Sequence, residues 1–206
     1  MNKVLSIFDP DVQHLDVDTK IAVALERLSQ VFRVLLWEKT KTFQLSPIQV
    51  QMMVYLLYPT DPPVTMGKIS RKFNITPATV TDAIKAMERK RLVVRKPLKN
   101  DRRNIEVRLT AKGRQLAGKL ADWADIIRST VARTNPEQKV VVLEFLMNLI
   151  KSLQQAGFIT IANMCMSCKF FEIRQNEKEP YYCQFLEMPL SVSELRIDCP
   201  DYKTVY

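Results

Sequence analysis

Apolar positions recur along this chain at helical spacing, interrupted at identifiable points. From Asp18 to about Thr42 they fall three and four residues apart, which is the period of an amphipathic helix. A second, strongly apolar helix is predicted from Ile48 to Tyr58, with Ser46 as N-cap and Pro47 in the first turn. Together the two segments predict a largely helical first quarter of the chain.

The middle of the chain predicts two short helices followed by a pair of strands. The first helix covers Met66 to Phe73 after the cap Thr65, and the second runs from Thr76 to about Lys90. Alternating residues then predict strands at 92–95 and 105–109. This order is that of a winged helix-turn-helix, in which the ribbon forms the wing.

Two further long helices are predicted, from Thr110 to about Thr134 and from Asn135 to near Gly157. The predicted order is therefore α-α-α-α-β-β-α-α. We expect a mainly α fold with a small β-wing. Residues 1–17 look irregular, with Asp9-Pro10 as a breaker, and residues 164–206 show no clear helical or strand pattern.

Positive charge concentrates in the helix-turn-helix and wing. The chain carries a net charge of +9, yet residues 65–119 hold 16 lysines and arginines against four acidic residues, which leaves −3 for the remainder. Such a cluster is the footprint that phosphate binding requires. Its one aromatic residue, Phe73, is expected in the core, so no stacking platform for single strands or RNA is predicted. The partner indicated is duplex DNA.

The second short helix has two unlike faces. Four apolar residues share the face expected to pack inward: Val80, Ala83, Ile84 and Met87. The opposite face is small and polar at first and then cationic: Ala78, Asp82, Lys85 and Arg89, flanked by Thr81. Small side chains let a helix approach a major groove, where Thr, Asp and Lys can address base edges or phosphates.

A basic turn is expected at the tip of the wing, where Asp101 precedes Arg102 and Arg103. Asp101 would hold one arginine while the other enters a minor groove or grips phosphate. A plain solvated turn is the alternative interpretation.

These elements together resemble the MarR family of bacterial regulators (multiple-antibiotic-resistance regulators). The resemblance covers roughly residues 20–155, and its motifs are the run from Val64 to Glu88, Leu-Val-Val-Arg at 92–95, Asn-Asp-Arg-Arg at 100–103, and Val107 to Gly113. The order of these motifs makes the resemblance more specific than any one of them.

The resemblance implies a homodimer with interleaved helices, here about 18–42, 111–134 and 136–156, on a two-fold-symmetric, palindromic operator. The family's DNA contacts would fall on Thr76, Ala78, Thr79, Thr81 and Lys85 in the helix, and on Arg102 and Arg103 in the wing. Many relatives bind a small anionic or phenolic ligand near the dimer interface. One departure is visible, because Arg91 stands where the family usually has a glycine before the first wing strand; if this position needs a positive φ, arginine is strained.

The sequence thus predicts a sequence-specific, double-stranded DNA-binding transcription regulator in the cytoplasm, modulated by a ligand, a metal or redox state, and not an enzyme. We divide the chain into an irregular segment 1–17, a helix-turn-helix domain with dimerisation helices 18–157 (DNA-binding core 46–110) and an extension 158–206. No apolar run approaches the roughly 20 residues that span a bilayer. No nucleophile elbow, phosphate loop or carboxylate pair is evident, and the one histidine, His14, is expected at the surface.

All four cysteines lie in the extension, as Cys165, Cys168, Cys183 and Cys199, in the pattern C-x2-C-x14-C-x15-C. Four thiolates suit a tetrahedral Zn²⁺ site, structural or sensory. An iron–sulfur cluster and a thiol–disulfide switch are the alternatives. A mini-core around the ion is expected from the apolar residues Phe170, Phe171, Tyr181, Tyr182, Phe185 and Leu195.

Two other interpretations use the same extension. The cysteines could serve a redox or metal enzyme, but four thiolates would close the coordination shell that a catalytic zinc keeps open. The extension could instead be a docking surface for another protein, with Met188-Pro189-Leu190 exposed as its anchor, although a local turn is the favoured interpretation of this segment.

Overall fold

The computed structural model describes residues 6–98, 101, 104–160, 163–174 and 179–204. Its helices, in chain order, are α1 (Pro10–Gln13), α2 (Val17–Phe43), α3 (Pro47–Leu57), α4 (Met66–Phe73), α5 (Pro77–Arg89), α6 (Ala111–Leu120), α7 (Asp125–Ala132) and α8 (Pro136–Gln155). Its strands are β1 (Val93–Pro97), β2 (Ile105–Leu109), β3 (Phe171–Ile173), β4 (Tyr181–Cys183) and β5 (Met188–Leu190). The predicted fold class, mainly α with a small β-wing, is confirmed. None of the described helices is long and apolar enough to cross a membrane.

Polar side chains fix where helices α3 to α6 begin. Thr65, Thr76 and Thr110 each accept a hydrogen bond from the backbone N–H three residues on, at 3.3, 3.2 and 2.9 Å. At the start of α3, Ser46 Oγ accepts from the Gln49 N–H while Gln49 Oε1 accepts from the Ser46 N–H. Each cap stabilises its helix by about 1 kcal/mol. The predicted starts of α3 to α6 are confirmed.

The N-terminal segment is not wholly irregular, because it contains the short helix α1. Asp9 Oδ1 accepts a hydrogen bond from the Asp11 N–H at 3.0 Å, and Pro10 occupies the first helical position. The Asp-Pro pair, expected to break structure, starts a helix instead. Proline is tolerated there because its missing N–H would have no helical partner anyway.

The helix predicted from Thr110 to about Thr134 is broken into α6 and α7, so this prediction was wrong at residues 121–124. Two tertiary contacts hold the break. Trp123 packs edge-on against Phe32 of α2, with ring centroids 6.0 Å apart. Asp122 forms an ion pair with Lys39 of α2 at 2.7 Å. Both contacts turn this segment toward α2 rather than continuing the helix.

The main core lies between α3, α5, α6 and the wing. In α3, Val50, Met52 and Met53 are fully buried, as the apolar character of this helix predicts. The inner side of α5 and the wing residues Val93 and Val107 close the same cluster, against which Phe73 of α4 also packs. The helix-turn-helix and the wing are therefore built directly on the principal core.

The wing is a two-stranded antiparallel ribbon in which Val93 pairs with Leu109 and Pro97 with Ile105. Its first strand, β1, covers residues 93–97, slightly later than the predicted 92–95. The Val107 N–H donates to Val64 O at 2.9 Å, which joins the ribbon to the segment before α4. The wing is thereby fixed to the helix-turn-helix as well as to the core.

Helix α5 ends at Arg89, and two residues later Arg91 adopts the left-handed conformation with φ of 59°. The Arg91 N–H donates to Glu88 O at 2.8 Å and the Leu92 N–H donates to Met87 O at 2.9 Å. These two bonds form a Schellman motif, in which the residue after the C-cap adopts the left-handed conformation. The chain then leaves α5 directly into β1.

The extension contains a three-stranded antiparallel sheet of order β3-β4-β5, where no strand pattern was evident from the sequence. Each strand has three residues, too few for an alternation to stand out. In this sheet Leu190 is buried and Met188 is 39% exposed. The Met188-Pro189-Leu190 segment is therefore a strand whose first two residues are exposed, and its role as a docking anchor stays a prediction.

Two glycines of α6 allow a stability test of the contact between this helix and Leu92, which precedes the wing. A Cβ placed on Gly113 would lie 1.9 Å from Leu92 O, whereas a Cβ on Gly118 meets nothing within 4 Å. We expect Gly113→Ala to lower the free energy of unfolding by about 2–3 kcal/mol, because the backbone must shift. Gly118→Ala, the matched control, should raise it by about 0.5–1 kcal/mol through helix propensity. Urea titration measures both; equal effects would contradict the close contact.

Candidate nucleic-acid interface and cysteine cavity

Helix α5 presents its apolar residues inward as its periodicity predicts. Val80, Ile84 and Met87 have no exposed surface and Ala83 is 7% exposed. The Gln49 side-chain amide of α3 donates to Ala83 O at 3.4 Å, an added polar link within the buried interface. The rotation of α5 about its own axis is therefore fixed by packing.

The opposite side of α5 is open to solvent. We call it the reading face, made of Ala78, Asp82, Lys85 and Arg89, all exposed. Among the described residues, neither Lys85 nor Arg89 forms an ion pair or a side-chain hydrogen bond. Thr81, beside this face, is half-buried, and its hydroxyl donates to Pro77 O at 2.8 Å. The cations are thus available to an external anion.

The first turn of α5 carries the remaining helix residues that the sequence singles out. Thr76 and Thr79 are exposed, and their hydroxyl oxygens lie 2.9 Å apart in a shared hydrogen bond. Thr76 also caps the helix, so its oxygen already accepts the Thr79 N–H. Both hydroxyls lie at the helix N-terminus, where free backbone N–H groups attract phosphate.

Arg95 of β1 belongs to the same surface, although the sequence analysis did not single it out. Its guanidinium binds Glu88 Oε2 through Nη2 at 2.8 Å and Nε at 3.0 Å. A groove between the reading face and β1 is lined by Asp82, Lys85, Glu88, Arg89 and Arg95. Glu88 and Arg95 are seven residues apart and lie on either side of the segment that joins α5 to β1. No helical or strand period could therefore have paired them.

The wing-tip arginines Arg102 and Arg103 lie outside the described residues. The neighbouring Asp101 accepts hydrogen bonds from Asn104, at 3.0 Å to its carbonyl and 2.8 Å to Oδ2. These bonds join Asp101 to Asn104. The expectation that Asp101 holds one of the arginines stays a prediction.

Not all of the basic charge near the helix-turn-helix faces outward unpaired. Lys68 of α4 binds Asp61 at 2.7 Å, and Lys72 binds Asp198 of the extension at 2.7 Å. These two lysines are therefore occupied within the chain. Within the part of the chain that the structure describes, Lys85 and Arg89 of α5 have no such internal ion pair.

The extension brings all four cysteines to the wall of one cavity of about 230 Å³, together with Phe171 and other apolar residues. Cys165 begins a tight 3-10 turn, and the Cys168 N–H donates to Cys165 O at 2.9 Å. Cys183 ends β4, and Cys199 lies in a later turn. All four are free thiols.

Backbone hydrogen bonds tie the cysteine turns together. Cys165 N–H donates to Arg196 O at 2.9 Å, and the Arg196 N–H donates back to Cys165 Sγ at 3.2 Å. The Cys199 N–H donates to Asn163 O at 2.8 Å. Burial raises the pKa of the Cys165 thiol, and the other three cysteines raise this pKa further, whereas the Arg196 N–H lowers it. Within the described residues, no three His, Cys, Asp or Glu side chains are already arranged to hold a metal ion.

The expected mini-core is shared with α8 rather than enclosed within the extension. Met147 of α8 is fully buried in one cluster with Met164, Tyr181 and Leu195, while Leu143 and Ile150 pack at its edge. Among the other expected residues, Phe171 packs against this cluster, Phe170 pairs with Phe185 at a centroid distance of 5.4 Å, and Tyr182 stacks on Arg174.

A polar contact reinforces this packing, since the Tyr181 hydroxyl donates to Glu144 of α8. Burial and this carboxylate together raise the pKa of Tyr181 to about 12. The extension is thus joined to α8 by apolar and polar contacts.

The model of the MarR family matches residues 52–105, from within α3 to the start of β2. Over these residues the winged helix-turn-helix of this chain is similar to the MarR family. A search of curated protein sequences gave no match.

Solved structures of MarR-type regulators share the fold at low sequence identity. MepR from Staphylococcus aureus in its DNA-binding conformation is 23% identical, with a TM-score of 0.59 over 65% of this chain and 98% of MepR. A MepR–DNA complex gives 22% and 0.58 over the same shares. A MarR protein from Peptoclostridium difficile is 21% identical, with a TM-score of 0.60 over 70% of this chain and 94% of its own.

The segment after α5 accommodates an arginine where MarR proteins usually have a glycine. Arg91 adopts the left-handed conformation that the usual glycine would take, with φ of 59°. The helix end is retained, and an arginine with a Cβ occupies a conformation that costs a non-glycine residue on the order of 1 kcal/mol.

We expect Arg91→Gly to raise the free energy of unfolding by about 1 kcal/mol, because glycine adopts a positive φ without a Cβ clash. Arg91→Ala keeps the Cβ and removes the same charge, so its stability should stay within about 0.5 kcal/mol of the wild type. Thermal and urea unfolding in the absence of DNA measure both. Equal stabilisation by both variants would show that the charge, not the backbone, is responsible.

Proposed function

We propose that this chain is a sequence-specific, double-stranded DNA-binding transcription regulator that acts as a homodimer on a palindromic operator. The observation that carries the proposal is the reading face of α5, exposed and cationic beside a β-wing. The proposal places the protein with the DNA, in the cytoplasm, and gives it no catalytic role.

The geometry of α5 supports major-groove reading. A recognition helix leads with its N-terminal residues, and here these are Thr76, Ala78 and Thr79, whose small side chains allow close approach. Lys85 and Arg89 follow about two and three turns after Ala78, within reach of base edges or phosphates. In this arrangement Arg102 and Arg103 supply the wing contacts to a minor groove or to phosphate.

Unpartnered apolar surface supports the homodimer. Helices α2, α7 and α8 expose large apolar side chains. About half or more of the surface of each of these residues is accessible: Leu28, Val34 and Trp37 on α2, Ile126 and Val131 on α7, and Val141 and Val142 on α8. Exposed apolar surface on this scale marks an interaction site. A second copy placed there would also present two reading faces by symmetry, which a palindromic operator requires.

The salt dependence of DNA affinity tests the DNA-binding proposal. Operator sequences are first selected from a random duplex library. Affinity for the selected duplex should fall about 10³-fold between 50 and 200 mM salt, because counterions are released from several phosphates. Lys85→Ala should reduce discrimination against mismatched duplexes by about 10-fold. Arg103→Ala should weaken binding to all duplexes and reduce the salt slope by about 1.

Lys20→Ala on α2 is the charge-matched control and should leave both quantities unchanged. An affinity that does not respond to salt would refute the DNA-binding proposal. Unchanged discrimination in Lys85→Ala would instead refute only the role given to that lysine.

A charge placed on the exposed apolar surface tests the dimer. Val141→Asp should raise the dimer dissociation constant at least about 100-fold, because two unpaired carboxylates would be buried at the interface. Ile173→Asp, an equally exposed site on β3, is the matched control and should leave the dimer intact. Sedimentation equilibrium measures both, and circular dichroism checks the helix content. A Val141→Asp protein that stays dimeric would place the interface elsewhere.

A further inference from the structure

The extension has a construction that its own packing does not explain. It contains three strands of three residues each, and the hydrophobic cluster that stabilises it includes Met147 of α8. Segments this small rarely fold on their own core and usually need a covalent or metal staple. The chain's four cysteines all line one cavity in this module, and none forms a disulfide.

We propose that Cys165, Cys168, Cys183 and Cys199 bind one Zn²⁺ ion, and that the zinc-held extension fixes α4 relative to α8. The four sulfurs come from three separated places in the chain, namely the turn 165–168, the end of β4 and the turn at Cys199. One ion held by all of them would lock those three segments to each other.

The donor set fits this ion. Zn²⁺ takes four thiolates in closed structural sites, at about 2.3 Å from each sulfur. In the structure the thiols line the cavity without yet converging on a point, and a change of rotamer moves each sulfur by a few ångströms. The Cys165-x-x-Cys168 turn brings two donors close together. The Arg196 N–H already donates to Cys165 Sγ, and such a hydrogen bond would orient this thiolate toward the ion.

Zinc is favoured over an iron–sulfur cluster because of what the module needs. A closed zinc site supplies folding free energy to a small domain and requires no other inorganic component. A thiol–disulfide switch would join the cysteines only in pairs. One tetrahedral ion joins all of the turns at once.

The zinc-held module contacts the helix-turn-helix directly. Lys72 of α4 pairs with Asp198, the residue before Cys199, at 2.7 Å. Thr160 Oγ1 donates a hydrogen bond to Arg71 O at 3.3 Å, or to Asn74 Oδ1 at 3.1 Å. The Asn74 side-chain amide also donates to Phe158 O at 3.4 Å. With Met147 and Glu144 on its other side, the extension bridges α8 and α4. This second half of the inference rests on the proposed DNA-binding function.

Metal analysis of the purified full-length chain tests the site. We expect one zinc per chain, no stoichiometric iron or acid-labile sulfide, and loss of at least nine-tenths of the zinc in Cys168→Ser and Cys199→Ser. Ser193→Ala, in the same module, is the control and should keep one zinc. Wild-type protein is also stripped with a chelator and titrated with Co²⁺, a test that does not depend on how the serine variants fold. Thiolate-to-cobalt charge-transfer bands should saturate at one ion.

Several results would overturn the zinc site. These are iron with sulfide in place of zinc, wild-type protein that binds neither Zn²⁺ nor Co²⁺, or serine variants that keep their zinc. None of these measurements uses DNA, so they separate the failure of the site from the failure of the proposed function.

The bridge is tested with the doubly substituted Thr160→Val/Asp198→Asn chain, which keeps all four thiols. Chelation should weaken wild-type binding to the selected duplex at least 5-fold, and adding Zn²⁺ should restore it. The double variant should retain one zinc per chain, while its DNA affinity changes less than 2-fold on chelation. Unchanged wild-type affinity after verified zinc removal would overturn the bridge and leave the zinc site standing.

Discussion

The packing of the inner side of α5 onto α3 is the contact on which the rest of the structure depends. Val80, Ile84 and Met87 are completely buried there, and burial of each such side chain contributes about 1.5–3 kcal/mol. Because a helix has a fixed period, sealing one side determines which residues form the reading face. The same core holds Val93 and Val107, so the wing is positioned by the packing that orients the helix.

Local chemistry explains why so much of the fold was predictable. Caps such as Ser46 and Thr76 act within three residues, and the period of α5 places each side chain in or out without any tertiary information. The break between α6 and α7 was missed because it is held by contacts to α2, namely Trp123 on Phe32 and the Lys39–Asp122 ion pair. No local pattern within residues 121–124 predicts contacts with Phe32 and Lys39.

The candidate sites divide along the same line. The helical period alone predicts the reading face. The Arg95–Glu88 ion pair could not be predicted in this way, because it depends on the direction in which the chain leaves α5 at the left-handed Arg91. Spacing indicated a shared cysteine site, but it carried no information on the docking of the extension. The contact between Lys72 and Asp198 joins residues 126 positions apart, and no local pattern encodes a pairing at that distance.

The position of the extension has a consequence for the helix-turn-helix as a mechanical unit. Helix α4 has eight residues and only Ile69 is fully buried, so it is too short to be stable by itself and depends on what holds its ends. Thr65 caps its beginning, while its end is turned by Asn74 in the left-handed conformation and held by bonds to the extension. The angle between α4 and α5 therefore depends on both the main core and the extension. In the proposed DNA-binding role, α5 must be placed to within a fraction of an ångström to discriminate bases, so contacts at the far end of the motif would bear on specificity without touching DNA.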